Sequence, residues 1–297
     1  MTRVTAAITT YNRAPFLAGA LESVFAQSFD DYEVLIVDDG STDETEAALA
    51  PYRERIRYVR QENSGRSAAR NRAVREAHAP YVSFLDSDDR WLPDKLAREV
   101  PVLDGDERTG MVHGHVDVVD GAGKLLAGET ERHHQLFAEA HRNGVTYAGY
   151  AFDCRCFSSA VTLRVAAIDD VGLYDPSLLL DDYDLYLRLA LAWRIVFLDL
   201  PPVAQYRLHE GQMSEYELTM GQIQTAEKHL RLLDARDDVP DARLARRNFD
   251  LMLARSWAVL GEQRKSRTWL LRALRADPAL VRERWVVRRL LASALPR

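Results

Sequence analysis

"YVSFLDSDDRWLP", residues 81–93, runs an apolar strand straight into four consecutive polar positions, three of them carboxylates. The same grammar recurs upstream. "RVTAAIT" reads as a strand and leads into "TYNR", "YEVLIVDD" as a buried strand ending in "DDGST", and "IRYVR" as a short strand before "NSGRS". Helical stretches separate them. "APFLAGALESVFAQS" carries Phe16, Leu17, Leu21, Val24 and Phe25 at near-helical spacing, "STDETEAALAPY" opens on a capping-box pattern of Ser41 and Glu44, and "SAARNRAVREAHA" completes the set. Strand and helix alternating four times predict an α/β fold with a mainly parallel, Rossmann-like sheet flanked by helices. Ligands of such sheets sit at the carboxyl ends of the strands, so the four polar, turn-rich segments there describe one site.

Downstream the pattern weakens. "MVHGHVDVVDG" suggests a strand ended by a glycine turn, and "GETERHHQLFAEAHRNGVTY" shows no period that places it. "SSAVTLRVAAIDDVGLYD" then reads as a strand and a short helix, "DDYDLYLRLALA" as a helix, and "RIVFLD" and "VAQYRLH" as two strands. Beyond Met213 the chain turns to Leu/Ala/Arg-rich helices broken at Pro240, Gly261 and Pro278. The expected organisation is a main domain over residues 1–214 and a helical extension over 215–297. One tetratricopeptide-like helix pair in that extension is not an array, which leaves a helical cap as the simpler reading.

With 297 residues, 47% hydrophobic and 28% charged, the chain has the composition of a globular protein with a sizeable core. Its net charge of −6 hides an asymmetry. From Leu230 onward there are 16 Lys+Arg against 8 Asp+Glu, a net of +8, and before it 23 against 37, a net of −14. A body this acidic excludes nucleic-acid binding through its general field. Only the tail suits an anionic surface, and its last helix sets Trp285, Val286, Val287, Leu290 and Leu291 beside Arg282, Arg284, Arg288 and Arg289, a pattern for peripheral contact with a bilayer. Cys154 and Cys156 are too few for a structural zinc site and read as thiols in a reducing compartment. "MTRVTAAITTYN" lacks the apolar core of a signal peptide, and no stretch approaches the roughly 18 apolar residues of a spanning helix. A cytoplasmic location is expected, peripheral at the inner face of the membrane if the tail binds there.

Two acid clusters carry candidate chemistry. Asp86, Asp88 and Asp89 stand at a strand end, where a divalent cation bound by one or two carboxylates and substrate phosphates would relieve their repulsion. Spacing alone equally allows a solvated acidic turn that caps the next helix. Asp181, Asp182 and Asp184 enter a helix, whose dipole keeps a carboxylate ionised and suited to accept a proton from a hydroxyl. There the competing reading is plain N-capping.

The segments "ITTYNRAPFLAGALESVFAQSFDDYEVLIVDDGSTDET", "NSGRSAARNRAVREAHAPYVSFLDSDDRWLPDKL", "LLLDDYDLYLRLA" and "YRLHEGQMS" resemble, in order and spacing, the family 2 glycosyltransferases of the GT-A fold, over about residues 4 to 214. The resemblance implies inverting, metal-dependent transfer of a sugar from a nucleoside-diphosphate donor, a UDP- or dTDP-sugar, to a hydroxyl of a glycan, lipid or small molecule. It implies that Thr10, Tyr11, Asn12, Arg13 and Asp39 line the nucleoside pocket, with Asp39 facing the pyrimidine N–H. Gly65, Arg66 and Arg70 fall in the segment that closes over the nucleotide. Asp86 matches the acid that faces ribose and donor sugar, and Asp88 the ligand of Mn2+ or Mg2+, while Asp89 orients the loop. Asp182 matches the proposed general base, although Asp181 stands where the family usually has Glu and leaves open which of the two acts. His209 matches a histidine that contacts the metal or the diphosphate; a structural histidine is the alternative. A nucleotidyltransferase would want a glycine-rich phosphate loop that "TYNRAPF" lacks. A catalytically inactive nucleotide-sugar binder working through the helical tail has only the Asp181 departure in its favour. Assembly as a homodimer is left open by the sequence.

Overall fold

The computed structural model describes residues 2–141, 144–154 and 156–282. Its first half runs β1 (Val4–Thr10), α1 (Ala14–Phe25), β2 (Tyr32–Asp38), α2 (Thr45–Leu49), β3 (Arg57–Arg60), α3 (Arg66–Glu76), β4 (Tyr81–Asp86), β5 (Arg90–Trp91), α4 (Lys95–Gly105), β6 (Thr109–Gly114), β7 (Val116–Val119) and α5 (Ala127–His141). There follow α6 (Tyr147–Phe152), β8 (Val161–Arg164), α7 (Val165–Val171), α8 (Asp181–Ala192), β9 (Arg194–Leu198), β10 (Ala204–Arg207), α9 (Glu215–Ala235), α10 (Ala242–Val259) and α11 (Gln263–Ala276).

The main sheet has the order β3-β2-β1-β4-β8-β6-β9. β1 pairs in parallel with β2 and β4, and β2 with β3, while β8 runs antiparallel to both β4 and β6. The expected mainly parallel sheet therefore carries one reversed strand. β1, β2 and β4 are covered on both faces, which is why they read as apolar runs instead of alternating. Their register decides where the polar turns fall. Thr10 lies opposite Asp38, Thr9 opposite Asp86, and Asp38 opposite Arg60, so four turns leave the sheet at one level. A second sheet, β5-β10-β7, brings the strand before His209 beside the strand after Asp89.

Two compact units emerge. The first comprises Met1–Val145, Arg155–Pro176 and Arg188–Gln212, the second Thr146–Cys154, Ser177–Leu187 and Met213–Arg297. The helical unit thus includes α6 and the first turns of α8 as well as the residues beyond 214. Hydrogen bonds explain why: Asn248 donates to the Ala148 carbonyl (2.7 Å), the Tyr183 hydroxyl to the Tyr150 carbonyl (2.8 Å), and the Leu179 amide to Gln224 Oε1 (3.0 Å). α10 and α11 share a small core of Leu251, Ala254, Leu270 and Ala273.

Some local expectations change. Ser41 does not cap α2; its amide donates to Asp38 Oδ1 (2.8 Å), and Asp43 instead accepts from Thr45 N (3.1 Å) and Oγ1 (2.6 Å). "MVHGHVDVV" is two strands in different sheets, and the unplaced stretch after it forms α5 as far as His141. No described helix is long and apolar enough to cross a membrane. The bilayer-contact pattern proposed for the last helix lies, apart from Arg282, outside the described residues.

Candidate functional site

The acid loop avoids internal repulsion by sending its three carboxylates to different partners. Asp89 is buried (2% exposed), with Oδ2 accepting from the Ser159 hydroxyl at 2.6 Å and Oδ1 from the Arg207 amide at 2.9 Å. Burial, with Asp86 and Asp88 adding to it, pushes its carboxyl well above the usual range. Asp86 donates its amide to the Ser159 hydroxyl (3.1 Å) and accepts from Arg70 at 3.2 Å. Arg70 is itself buried and donates to the Ser158 hydroxyl (3.0 Å). Asp88 Oδ2 lies 2.9 Å from His209 Nε2 and 3.7 Å from the Arg13 guanidinium. The Arg207 side chain ties down the loop by donating to the Asp88 carbonyl (2.8 Å).

The neighbouring turns are equally built. Asn12 takes a left-handed backbone (φ 53°), which Asn tolerates, and its Oδ1 accepts from the Thr42 amide (2.8 Å). Arg13 donates to the Gly211 carbonyl (2.8 Å), tying the β1 turn to the segment after β10. Thr10 is buried and Tyr11 is 44% exposed. Asp39 accepts three hydrogen bonds, from Gln61 Nε2 (2.7 Å) and the amides of Ser64 (3.0 Å) and Gly65 (2.8 Å). It therefore shapes the turn that opens α3, at which Gly65 holds φ +88°. Arg66 follows, exposed, in the first turn of α3.

His209 stacks on Phe16 (centroids 5.2 Å apart), and its Nδ1 accepts from the Gly211 amide at 3.0 Å. A neutral imidazole that accepts at Nδ1 carries its proton on Nε2, so His209 donates to Asp88 in this arrangement. Coordinating a cation through Nε2 would require Nδ1 to release that amide. Asp88 and Asp86 fit a hard divalent ion that takes its remaining oxygens from substrate phosphates. Among the described residues no group of three His, Cys, Asp or Glu side chains could hold a metal unaided.

The second acid cluster belongs to the helical unit. Asp181 and Asp184 are fully buried and Asp182 is partly exposed. The Asp182 amide donates to Asp181 Oδ1 (3.0 Å), and the Tyr183 amide to Asp182 Oδ1 (2.8 Å). Asp184 Oδ1 receives Lys228 Nζ at 2.8 Å and His229 Nε2 at 3.1 Å. Of the three, Asp182 alone reaches solvent.

Residues 5–162 match the model of glycosyl transferase family 2. The chain belongs to family 2 of the glycosyltransferases. It is 43% identical over 98 residues to the putative teichuronic acid biosynthesis glycosyltransferase TuaG of Bacillus subtilis, covering 32% of this chain and 39% of that one. It is 38% identical over 128 residues to an uncharacterised glycosyltransferase of Nostoc, covering 42% and 39%. The chain thus spans about two fifths of the length of each of these relatives. Among solved structures, TarS of S. aureus in complex with UDP-GlcNAc superposes with a TM-score of 0.65 at 20% identity, over 94% of this chain and 83% of TarS. A mannosyltransferase of Pyrobaculum calidifontis in complex with GDP-Man and Mn2+ gives 0.65 at 20% identity, over 98% and 79%. The fold of this family 2 protein is GT-A.

Within the first unit, the structure gathers Thr10, Asn12, Arg13, Asp39, Gly65, Arg70, Asp86, Asp88 and His209 at or beside the carboxyl ends of β1, β2, β4 and β10. Sequence reading missed Ser158, Ser159 and Arg207, which fix the acid loop. Serines before a strand carry no local signal of that role.

Proposed function

We propose that the chain transfers a sugar, with inversion, from a nucleoside-diphosphate donor to an acceptor hydroxyl. The observation that carries this reading is the level register that sets Asp39, Asp86 and Asp88 at the ends of β2 and β4, the two strands that flank β1. Thr10, Tyr11, Asn12, Arg13 and Asp39 line the nucleoside side, and Gly65, Arg66 and Arg70 border it. Asp86, oriented by Arg70, faces ribose and donor sugar. Asp88 holds Mn2+ or Mg2+, which when bound neutralises the leaving diphosphate as a Lewis acid. His209 orients Asp88 and borders the diphosphate.

Asp182 takes the acceptor hydroxyl's proton as its oxygen bonds to the anomeric carbon. The carbon's bond to the diphosphate oxygen breaks, and the nucleoside diphosphate leaves with that electron pair. An α-linked donor then gives a β-linked product. Asp182 is preferred over Asp181 because Asp181 is buried. The donor is a UDP- or dTDP-sugar, in keeping with the UDP-GlcNAc held by TarS, and GDP-mannose is the competitor raised by the mannosyltransferase. Relatives named for teichuronic acid and succinoglycan biosynthesis favour a polysaccharide hydroxyl as acceptor, and a cytoplasmic supply of donor fits that role.

The test is a panel of nucleoside diphosphates and nucleotide sugars, with and without Mn2+, read first by thermal shift and then by turnover. Ligand at 100-fold its Kd stabilises by about 2.7 kcal/mol, a shift easily seen. If no nucleotide raises the melting temperature and no nucleotide sugar is consumed, the reading fails; full activity in EDTA removes the metal.

A further inference from the structure

Three acids within four residues at the start of α8 need more than a helix dipole to stay in one geometry, and Asp184 is wholly buried. We infer that one face of α9 locks this turn, making Gly221, Gln224, Lys228 and His229 positioning residues for the carboxylate of Asp182. The inference rests on the proposed role of Asp182 and gives the helical unit a part in the reaction.

Four contacts converge on residues 179–184. Gly221 sits mid-helix, where glycine costs about 1 kcal/mol relative to alanine, so its presence there calls for a packing reason. A Cβ at Gly221 would fall 2.5 Å from Leu180 Cγ and 3.2 Å from Leu179 Cβ, so only a glycine lets α9 approach this closely. One turn on, Gln224 Oε1 accepts from the Leu179 amide (3.0 Å). A further turn on, Lys228 (2.8 Å) and His229 (3.1 Å) both reach the same Asp184 oxygen. Positions 221, 224 and 228 lie on one helical face, and His229 adjoins it.

The histidine is held in turn. Its Nδ1 lies 3.1 Å from the Tyr147 hydroxyl, whose pKa burial pushes up, so the hydroxyl keeps its proton and donates. That fixes the tautomer with the proton on Nε2, aimed at Asp184. The ring also stacks on Phe249, with centroids 5.7 Å apart. A hydrophobic seam would fill this space at lower desolvation cost. A seam of directional bonds specifies a register, and proton transfer needs the base within hydrogen-bond reach. Misplacement by 1 Å can lower rates by about a hundredfold.

The experiment uses the whole chain and the nucleotide sugar found in the donor panel. For wild type, Asp182→Asn, Gly221→Ala, His229→Gln and the pair Gly221→Ala/Leu180→Ala, one measures kcat, donor KM, and nucleoside-diphosphate binding with Mn2+. Expected are a 10- to 100-fold lower kcat for Gly221→Ala and His229→Gln, donor KM and nucleotide Kd within twofold of wild type, and substantial recovery of kcat in the pair, where the clash is relieved. If either single variant is recovered unfolded, Lys228→Met, altering a part-exposed side chain, supplies the same kcat-against-KM reading. Wild-type kcat in the variants, or a fall in kcat matched by an equal loss of nucleotide binding, overturns the inference and leaves the proposed function intact. Absence of wild-type turnover, or full turnover by Asp182→Asn, overturns the proposed function or its base and this inference with it.

Discussion

Asp86–Asp89 and Asp181–Asp184 each crowd three carboxylates into four residues, and the two regions relieve the repulsion in opposite ways. In the strand-end loop, the buried member, Asp89, is bound by a hydroxyl and an amide. Both of those donors are neutral, while Asp86 meets Arg70, and Asp88 meets His209 and the more distant Arg13. In the helix turn, the buried member, Asp184, is met directly by a lysine and a histidine. In the first region neutral donors hold the buried acid, and the cations Arg70 and Arg13 stand by the two more exposed ones. The second sets its cation, Lys228, on the buried acid itself and leaves Asp182 partly exposed.

The strongest way to break this contrast is to neutralise one acid in each region. Asp88→Asn and Asp182→Asn are each expected to lower kcat/KM by roughly a thousandfold, within the usual range for a metal site or general base. Asp88→Asn should also erase the Mn2+-dependent thermal shift with nucleoside diphosphate, and Asp182→Asn should keep it. Loss of that shift in both variants would show the two regions acting as one. A middling effect separates the buried members. Asp184→Asn forfeits a charged hydrogen bond to Lys228 and should cost about 2–3 kcal/mol in urea unfolding, whereas Asp89→Asn, among neutral donors, should cost under about 1 kcal/mol.

An effect smaller than that at Asp184 is expected at Asp250, a buried carboxylate whose cation, Arg272, stands at 3.5 Å. Burial pushes its pKa up to about 6. The fold therefore holds its proton more tightly than the unfolded chain does, and stability declines as pH rises from the ordinary carboxylate range through about 6. Asp250→Asn should raise stability by about 1–2 kcal/mol at pH 8 and by distinctly less at pH 5, read as melting temperatures at the two values.

Much of the first unit was legible because its signals are local. β1, β2 and β4 are apolar runs that each end in a polar turn, and the order of those turns pointed to one candidate site before any pairing was known. The reversed β8 was not legible, since a strand's direction depends on neighbours far along the chain. Nor was the break within "MVHGHVDVV", where a Cβ on Gly114 would crowd Val203 at 3.1 Å and the chain passes from one sheet to the other. α5 escaped because its polar residues serve tertiary contacts: the Thr130 hydroxyl accepts from the Val118 amide (2.9 Å) and His134 meets the Val116 carbonyl (2.9 Å). At the site, carboxylates and glycines advertised themselves, but Ser158 and Ser159 act only through groups brought near by folding.

The division of the chain at residues 146–154 and 177–187 sets a rule for anyone recombining this protein. A shortened version ending at 212 would strip α6 and the head of α8 of the helices they pack on. A chimera that exchanged only residues 213 onward would set Leu179 and Leu180 against a foreign helix with no glycine waiting for them. The exchangeable module is discontinuous, and any exchange among relatives should carry its three segments together.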